Sequence, residues 1–292
     1  MRLAHRPNAD GADAAIVGVP FDTGASFRVG ARFGPEAVRS ASQLLRPHNA
    51  SQGTGVLEVM EVVDVGDAPV IPGYTAESFE TIATALAAIH QAGAVPVAIG
   101  GDHSILLPEL RAAAASAGPV GLVQFDAHPD TSDRHFGMRH THGTPVRRAV
   151  EEGLIDPARS VQIGLRGPTH GPNSWDEPRE LGLDVITTDA LRGMPFADAM
   201  DRVRARAADG PAFISFDVDF VDPAFAPGTG TPEVGGFSSW EALHLVRTLR
   251  GVQVVGCDVV EVYPAYDPSA ITAFLAANIA FELLTLVALA RR

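Results

Sequence analysis

Eight short apolar runs recur along this 292-residue chain, at 14–19, 59–63, 95–99, 120–125, 160–164, 183–187, 212–216 and 252–258. Between most of them lie stretches rich in alanine and leucine with helical periodicity, at 36–45, 76–92, 105–115, 145–152, 196–208, 239–250 and 269–289. No other feature restricts the fold as much. An unbroken apolar run suits a strand buried on both faces, the situation of strands in a parallel sheet covered by helices. The alternation therefore predicts an α/β fold, a doubly wound parallel sheet with crossovers on both faces. No linker, long charge run or internal repeat divides the chain, so the expected organisation is a short exposed arm over 1–13 and a single domain over 14–292. A hydrophobic content of 46% is ample for its core.

The formal charge is -13, from 35 acidic against 22 basic residues. That balance disfavours nucleic acid and anionic membrane surfaces as partners and attracts small cations. A single cysteine, Cys257, excludes an internal disulfide framework and a thiolate-rich zinc site. It fits a reducing cytosol and is expected to pack as a small apolar group. Residues 1–13 hold Arg2 and Arg6 without an apolar core, so no secretory signal is read there and a cytoplasmic location is expected. The apolar run at 271–290 raises a membrane span, but Asn278, Glu282 and Thr285 recur along one side, which predicts a buried helix of a soluble core instead.

In open α/β sheets ligands bind beyond the carboxyl ends of strands, where loops converge on a switch in strand order. Three expected strand ends carry metal-capable side chains. Gly100-Gly101-Asp102-His103-Ser104 follows the run ending at Ile99, its glycines permitting a tight turn. Phe125-Asp126-Ala127-His128-Pro129-Asp130 sets three donors at alternate positions, which an extended backbone would place on one face. Ser215-Phe216-Asp217-Val218-Asp219 ends in carboxylates two apart. Each alone has an ordinary explanation, His103 as a helix start and the acids as caps. Together, His103, Asp126, His128, Asp130, Asp217 and Asp219 make two imidazoles and four carboxylates, and burying such a set calls for cations among them. Bridging carboxylates let six side chains serve two divalent ions. The oxygen-rich, sulfur-free set favours Mn²⁺, with Zn²⁺, Co²⁺, Ni²⁺ and Fe²⁺ left open.

Two ions about 3.5–4 Å apart can hold a shared hydroxide at neutral pH, so water is the expected nucleophile. His142, in Thr141-His142-Gly143-Thr144-Pro145, precedes an expected helix; it is either a proton shuttle to a leaving amine or a helix-entry histidine. Glu261, in Asp258-Val259-Val260-Glu261-Val262-Tyr263-Pro264, is placed to fork a planar cation such as guanidinium, or is an ordinary loop acid.

These motifs occur in order between Ala14 and about Leu284, together with Gly30-Ala31-Arg32-Phe33-Gly34-Pro35 and the run from Asp222 to Pro232. On them the chain resembles the ureohydrolase family of arginases and agmatinases. The resemblance implies a parallel eight-stranded sheet, a homo-oligomer (trimer or hexamer), and hydrolysis of a small cationic or zwitterionic guanidino substrate to urea and an amine with two Mn²⁺ per subunit. One metal would be held by His103, Asp126, Asp130 and Asp217, the other by Asp126, His128, Asp217 and Asp219, with Asp126 and Asp217 bridging. Asp130 would also orient the bridging hydroxide, His142 would protonate the departing amine, Glu261 would hold the guanidinium, and Thr231 would line the substrate site.

Substrate identity is expected in the loop over 131–140. Arginases typically carry an asparagine where Ser132 stands, which demotes arginine. Phe136-Gly137, the run from His142 to Pro145 and Arg147-Arg148 look like agmatinases, although those often have an aromatic residue at Ser132 and threonine at Pro129. Arg134 and Arg139 are candidates to pair a carboxylate, and Asp133 to receive an amine; each is otherwise a solvated loop charge. The first expectation is agmatine, cleaved to the polyamine putrescine and urea, and the second is 4-guanidinobutyrate or a related guanidino acid. A two-metal phosphoesterase would need a basic cluster or a phosphate cradle, neither evident beyond Arg134 and Arg139. A non-catalytic metal-binding relative is disfavoured by the complete ligand set with His142 and Glu261.

Overall fold

The computed structural model describes residues 2–169, 171 and 175–291. The apolar runs form strands β2 (Ala14–Val19), β3 (Val62–Asp67), β4 (Val95–Gly100), β5 (Gly121–Phe125), β6 (Val161–Ile163), β7 (Asp184–Ile186), β8 (Ala212–Asp217) and β9 (Val254–Val260), preceded by a two-residue β1 (Ala4–His5). They build one parallel sheet in the order β1-β3-β2-β4-β9-β8-β5-β6-β7. The sheet thus has nine strands rather than eight. The extra strand, β1, lies at the edge on β3, within the stretch expected to be an exposed arm.

Two strands begin two or more residues later than their apolar runs. Val56–Val59 closes a helical turn, so β3 starts only at Val62. The Val252 N–H is taken by Leu249 O, and β9 starts at Val254. The principal helices are α1 (Gly34–Ser42), α2 (Thr75–Gln91), α3 (Leu106–Ala117), α4 (Pro145–Glu151), α5 (Phe196–Ala207), α6 (Ser239–Arg247) and α7 (Ile271–Leu289). Prolines sit in the first turn of α1 and α4, where the missing N–H costs nothing, and Ser238 with Glu241 forms a capping box on α6.

Successive residues of a strand feed opposite cores. Val97 and Ile99 join the cluster under α1, α5, α6 and α7, while Ala98 between them joins the one under α2 and α3. This two-sided burial is why the runs are continuous instead of alternating. Among the described residues, only the helix ending at Leu289 is long and apolar enough to cross a membrane, and most of it is buried against α1, α6, β4 and β9. Its acid, Glu282, is matched by Arg247 at 2.6 Å and by the amides of Asn49 and Gln52 at 2.8 and 2.7 Å.

From β4 the chain steps over the positions of β9 and β8 to reach β5. That reversal opens a crevice at the carboxyl ends of the four central strands.

Candidate metal centre and active site

Each of these four strands releases a functional side chain into the crevice: β4 leads to His103, β5 to Asp126, His128 and Asp130, β8 to Asp217 and Asp219, and β9 to Glu261. Gly101 makes the turn after β4 at φ +60, where a Cβ would meet Val19 O at 2.5 Å, so no other residue fits. Asp130 and Glu261 adopt left-handed backbone conformations, at φ 50 and 63. For residues with a Cβ this costs about 1–3 kcal/mol each, strain that the surrounding contacts must hold.

The six expected ligands converge. His103 Nδ1 lies 3.0 Å from Asp126 Oδ2, 2.9 Å from Asp130 Oδ2 and 3.3 Å from Asp217 Oδ2. His128 Nδ1 lies 2.9 Å from Asp219 Oδ2 and 3.6 Å from Asp126 Oδ1. Asp126 therefore turns one oxygen toward each histidine, the posture of a bridging carboxylate. Donor atoms of His103, Asp126 and Asp217 fall within 4.8 Å of one another, as do those of Asp126, His128 and Asp219. Asp217 belongs to the first group; its Oδ1 accepts the Asp219 N–H at 2.8 Å.

The hydrogen bonds behind the ligands decide what the centre lacks. Ser215 Oγ donates to Asp258 Oδ1 at 2.8 Å, so its oxygen accepts from His103 Nε2 at 2.9 Å. The proton of a neutral His103 is thus on Nε2, and the Nδ1 lone pair faces three carboxylates. Nδ1 is buried and has no hydrogen-bond partner among the described residues. Such a cluster is tolerable only with a proton or a cation at its centre. Without metal the proton takes that place: burial alone would lower the His103 pKa, but Asp126, Asp130 and Asp217 carry it well above its ordinary value. Burial and neighbouring charge push Asp217 well up and Asp130 to about 6. The donor set fits divalent cations, which would relieve both effects together.

A supporting layer fixes the ligands. Asp126 accepts the His128 N–H at 2.6 Å and Gln124 Nε2 at 2.7 Å, and Gln124 is held in turn by Gln162 at 2.7 Å. His142 donates or accepts on both ring nitrogens, with Glu261 Oε1 at 3.1 Å from Nδ1 and Ser26 Oγ at 2.6 Å from Nε2. Burial lowers its pKa, but the bond and charge of Glu261, aided by Asp130, raise it to about 9. Glu261 Oε1 also accepts the His103 N–H at 2.7 Å, and the buried Tyr263 hydroxyl lies within hydrogen-bonding reach of the same carboxylate.

A cavity of about 420 Å³ opens over this floor. Ser132, Arg134, His142 and Thr231 line it, as expected of substrate-site residues. Arg139 does not: it turns outward to Glu151 at 2.8 Å and Asp133 at 3.5 Å. Asp133 also leaves the site, bonded to Arg148 at 2.8 Å. Both are captured by charges of the neighbouring helix α4, which loop sequence alone does not reveal. Glu261 sits behind His142 and does not line the opening.

Ser26, His135, Arg166, Trp175, Glu177 and Glu233 line the cavity without having been singled out from sequence. Arg166 follows the end of β6 and Ser26 that of β2, so the strand-end rule was a usable signal for both; Glu177 opens a short helix, and His135, Trp175 and Glu233 come from loops with no chemical pattern. A second cavity, of about 400 Å³, lies between α1, α7 and the sheet edge and shares no residue with the crevice.

The sequence matches the arginase family over residues 12–285. It is 47% identical to the mitochondrial agmatinase of Gallus gallus, covering 97% of this chain and 84% of the relative. It is 45% identical to a guanidinopropionase of Pseudomonas aeruginosa, covering 99% and 91%. The fold superimposes on proclavaminate amidino hydrolase from Streptomyces clavuligerus with a TM-score of 0.95 at 42% identity, covering 99% and 96% of the two chains.

Proposed function

The chain belongs to the arginase family, as a hydrolase of C–N bonds in guanidino compounds, and from this premise we propose that it releases urea and an amine from a linear guanidino acid with two Mn²⁺ per subunit. The observation that carries the two-ion reading is Asp126, which faces His103 with one oxygen and His128 with the other. His103, Asp126, Asp130 and Asp217 would hold one ion, and Asp126, His128, Asp217 and Asp219 the second. When bound, the ions supply Lewis-acid activation of water at neutral pH.

The remaining work falls to side chains. A guanidinium carbon is resonance-stabilised, and its nitrogen leaves poorly without a proton. His142, charged by its bond to Glu261, is the donor to that nitrogen. With ions bound, His142 would hold its proton less tightly than in the metal-free protein. Glu261, expected to hold the guanidinium, lies behind His142 instead, and its part is to fix and charge that imidazole. Asp130, with its oxygen on the floor of the cavity, is suited to orient the attacking water.

The far end of the substrate meets Arg134. Arg166 also lines the cavity, but its guanidinium is spent on the carbonyls of Gly164, Asp219, Phe220, Glu233 and Val234. Among the described residues Arg134 makes one hydrogen bond, to Gly137 O at 3.0 Å, with Asp133 no nearer than 3.9 Å, which suits it to a carboxylate. Asp133, the candidate for an amine, is turned away. Agmatine is the second reading, favoured by the Glu233 carboxylate in the same cavity, whereas Glu177 there is paired with Arg147.

Urea release by Mn²⁺-loaded protein across agmatine, 4-guanidinobutyrate, 3-guanidinopropionate, arginine and guanidine tests both. A guanidino acid should give the highest kcat/KM, and Arg134→Ala should lower it about 10-fold while sparing agmatine. Preference for agmatine, indifferent to Arg134, returns the substrate to the second reading. No urea from any of the five ends the proposal.

A further inference from the structure

Behind His103 a chain of buried polar groups runs from the crevice to α3. Ser215 on β8 and Asp258 on β9 are register partners in the sheet, and Ser215 links Asp258 to His103 Nε2. Asp258 Oδ1 accepts from Ser215 Oγ at 2.8 Å and from the Phe216 N–H at 3.1 Å. Its other oxygen, Oδ2, and both oxygens of Glu109 on α3 are reached by no N–H or O–H donor among the described residues. Yet the two carboxyls lie within hydrogen-bonding reach of each other, and Glu109 is 2% and Asp258 0% exposed.

We propose that Glu109 is a positioning residue for the metal centre: as a neutral carboxylic acid it donates to Asp258, which holds Ser215 and, through it, the His103 tautomer that offers Nδ1 to a metal. Two carboxylates in contact and shut off from water cannot both be charged, so one proton lies between them. Asp258 keeps the charge because two donors already serve it, while Glu109 has none. Burial, with the charge of Asp258 beside it, accordingly pushes the Glu109 carboxyl well above the usual range. The nearest basic neighbour in sequence, Arg111, is spent on Glu152 at 2.8 Å and does not neutralise the pair. A carboxylate fixed behind a ligating imidazole sets its orientation and strengthens it as a donor.

This inference rests on the metal reading of the site, and its two measurements separate the two. Infrared difference spectra of metal-free wild type minus Glu109→Gln at pH 8 should show the band of a protonated carboxyl; its absence overturns the proposal whether or not the protein binds metal. Mn²⁺ titration of metal-free protein should show Glu109→Gln, which keeps a donor toward Asp258, binding like wild type. Glu109→Leu and Ser215→Ala, folded by circular dichroism, should each bind one of the two ions at least about 10-fold more weakly. Equal weakening in Glu109→Gln and Glu109→Leu, or wild-type binding in Glu109→Leu, overturns it. Wild type that binds no Mn²⁺ overturns the metal reading instead.

Discussion

Asp126 and His142 are both buried and both lie near His103, yet they should fail differently when removed. Asp126 faces two histidines, so Asp126→Ala is expected to lose both bound ions and all turnover; unchanged metal content, measured by elemental analysis, would count against the shared role. His142 touches Ser26 and Glu261 but no proposed ligand side chain. His142→Ala should therefore keep both ions while turnover falls about 10²–10⁴-fold, as for loss of a general acid. The candidate ligands were legible as residue types because strand ends and two-residue spacing put them within reach of one another. The behaviour of the loop charges was not legible: Arg134 and Arg139 are alike in sequence, and only the position of Glu151 on α4 draws Arg139 away.

Among the elements, α7 shows how an apolar helix is kept inside a globular fold. Glu282 would be an unpaired charge in a packed layer without Arg247 on α6 and the amides of Asn49 and Gln52. Arg247→Ala is expected to destabilise the protein by about 2 kcal/mol, and Arg247→Ala with Glu282→Gln by less, because the second change removes the stranded charge. Chemical denaturation of the single and double variants measures the difference; additive losses would show that the pair is not coupled. The eight short apolar runs announced their strands since burial on both faces forces continuity. Strand ends were less legible, because β3 and β9 begin where preceding turns release the backbone, and β1 has too few residues to carry a pattern.

For the whole molecule, the metal-free state concentrates charge that the ions would offset. Chelation of the loaded protein should cost about 4 kcal/mol of stability per ion at a free Mn²⁺ concentration 1,000 times Kd, restored on adding Mn²⁺ back. Without metal, stability should fall as pH rises. His142, at about 9 in the fold against an ordinary 6.5, stabilises fully below 6.5 and stops doing so as pH passes 9. Asp102, which burial and the charge of Glu261 raise from 3.8 to about 7, penalises the fold increasingly between those values. Denaturation of metal-free protein at pH 6 and pH 9 checks the sign, and higher stability at pH 9 would contradict it. Phe27, Val29 and Phe33 are 74, 67 and 58% exposed, and we propose that self-association covers them, in keeping with a trimer or hexamer; a monomeric mass by light scattering would exclude this. The amino-acid sequence by itself determined the doubly wound architecture, the six candidate ligands and the reaction class, because each follows from short-range patterns: runs of burial, donor spacing and motif order. Only the tertiary structure decided that Asp126 faces both histidines, that Arg134 lines the substrate cavity while Arg139 leaves it, and that Glu109 sits behind the centre. Those are matters of which side chains from distant strands and helices share one buried volume.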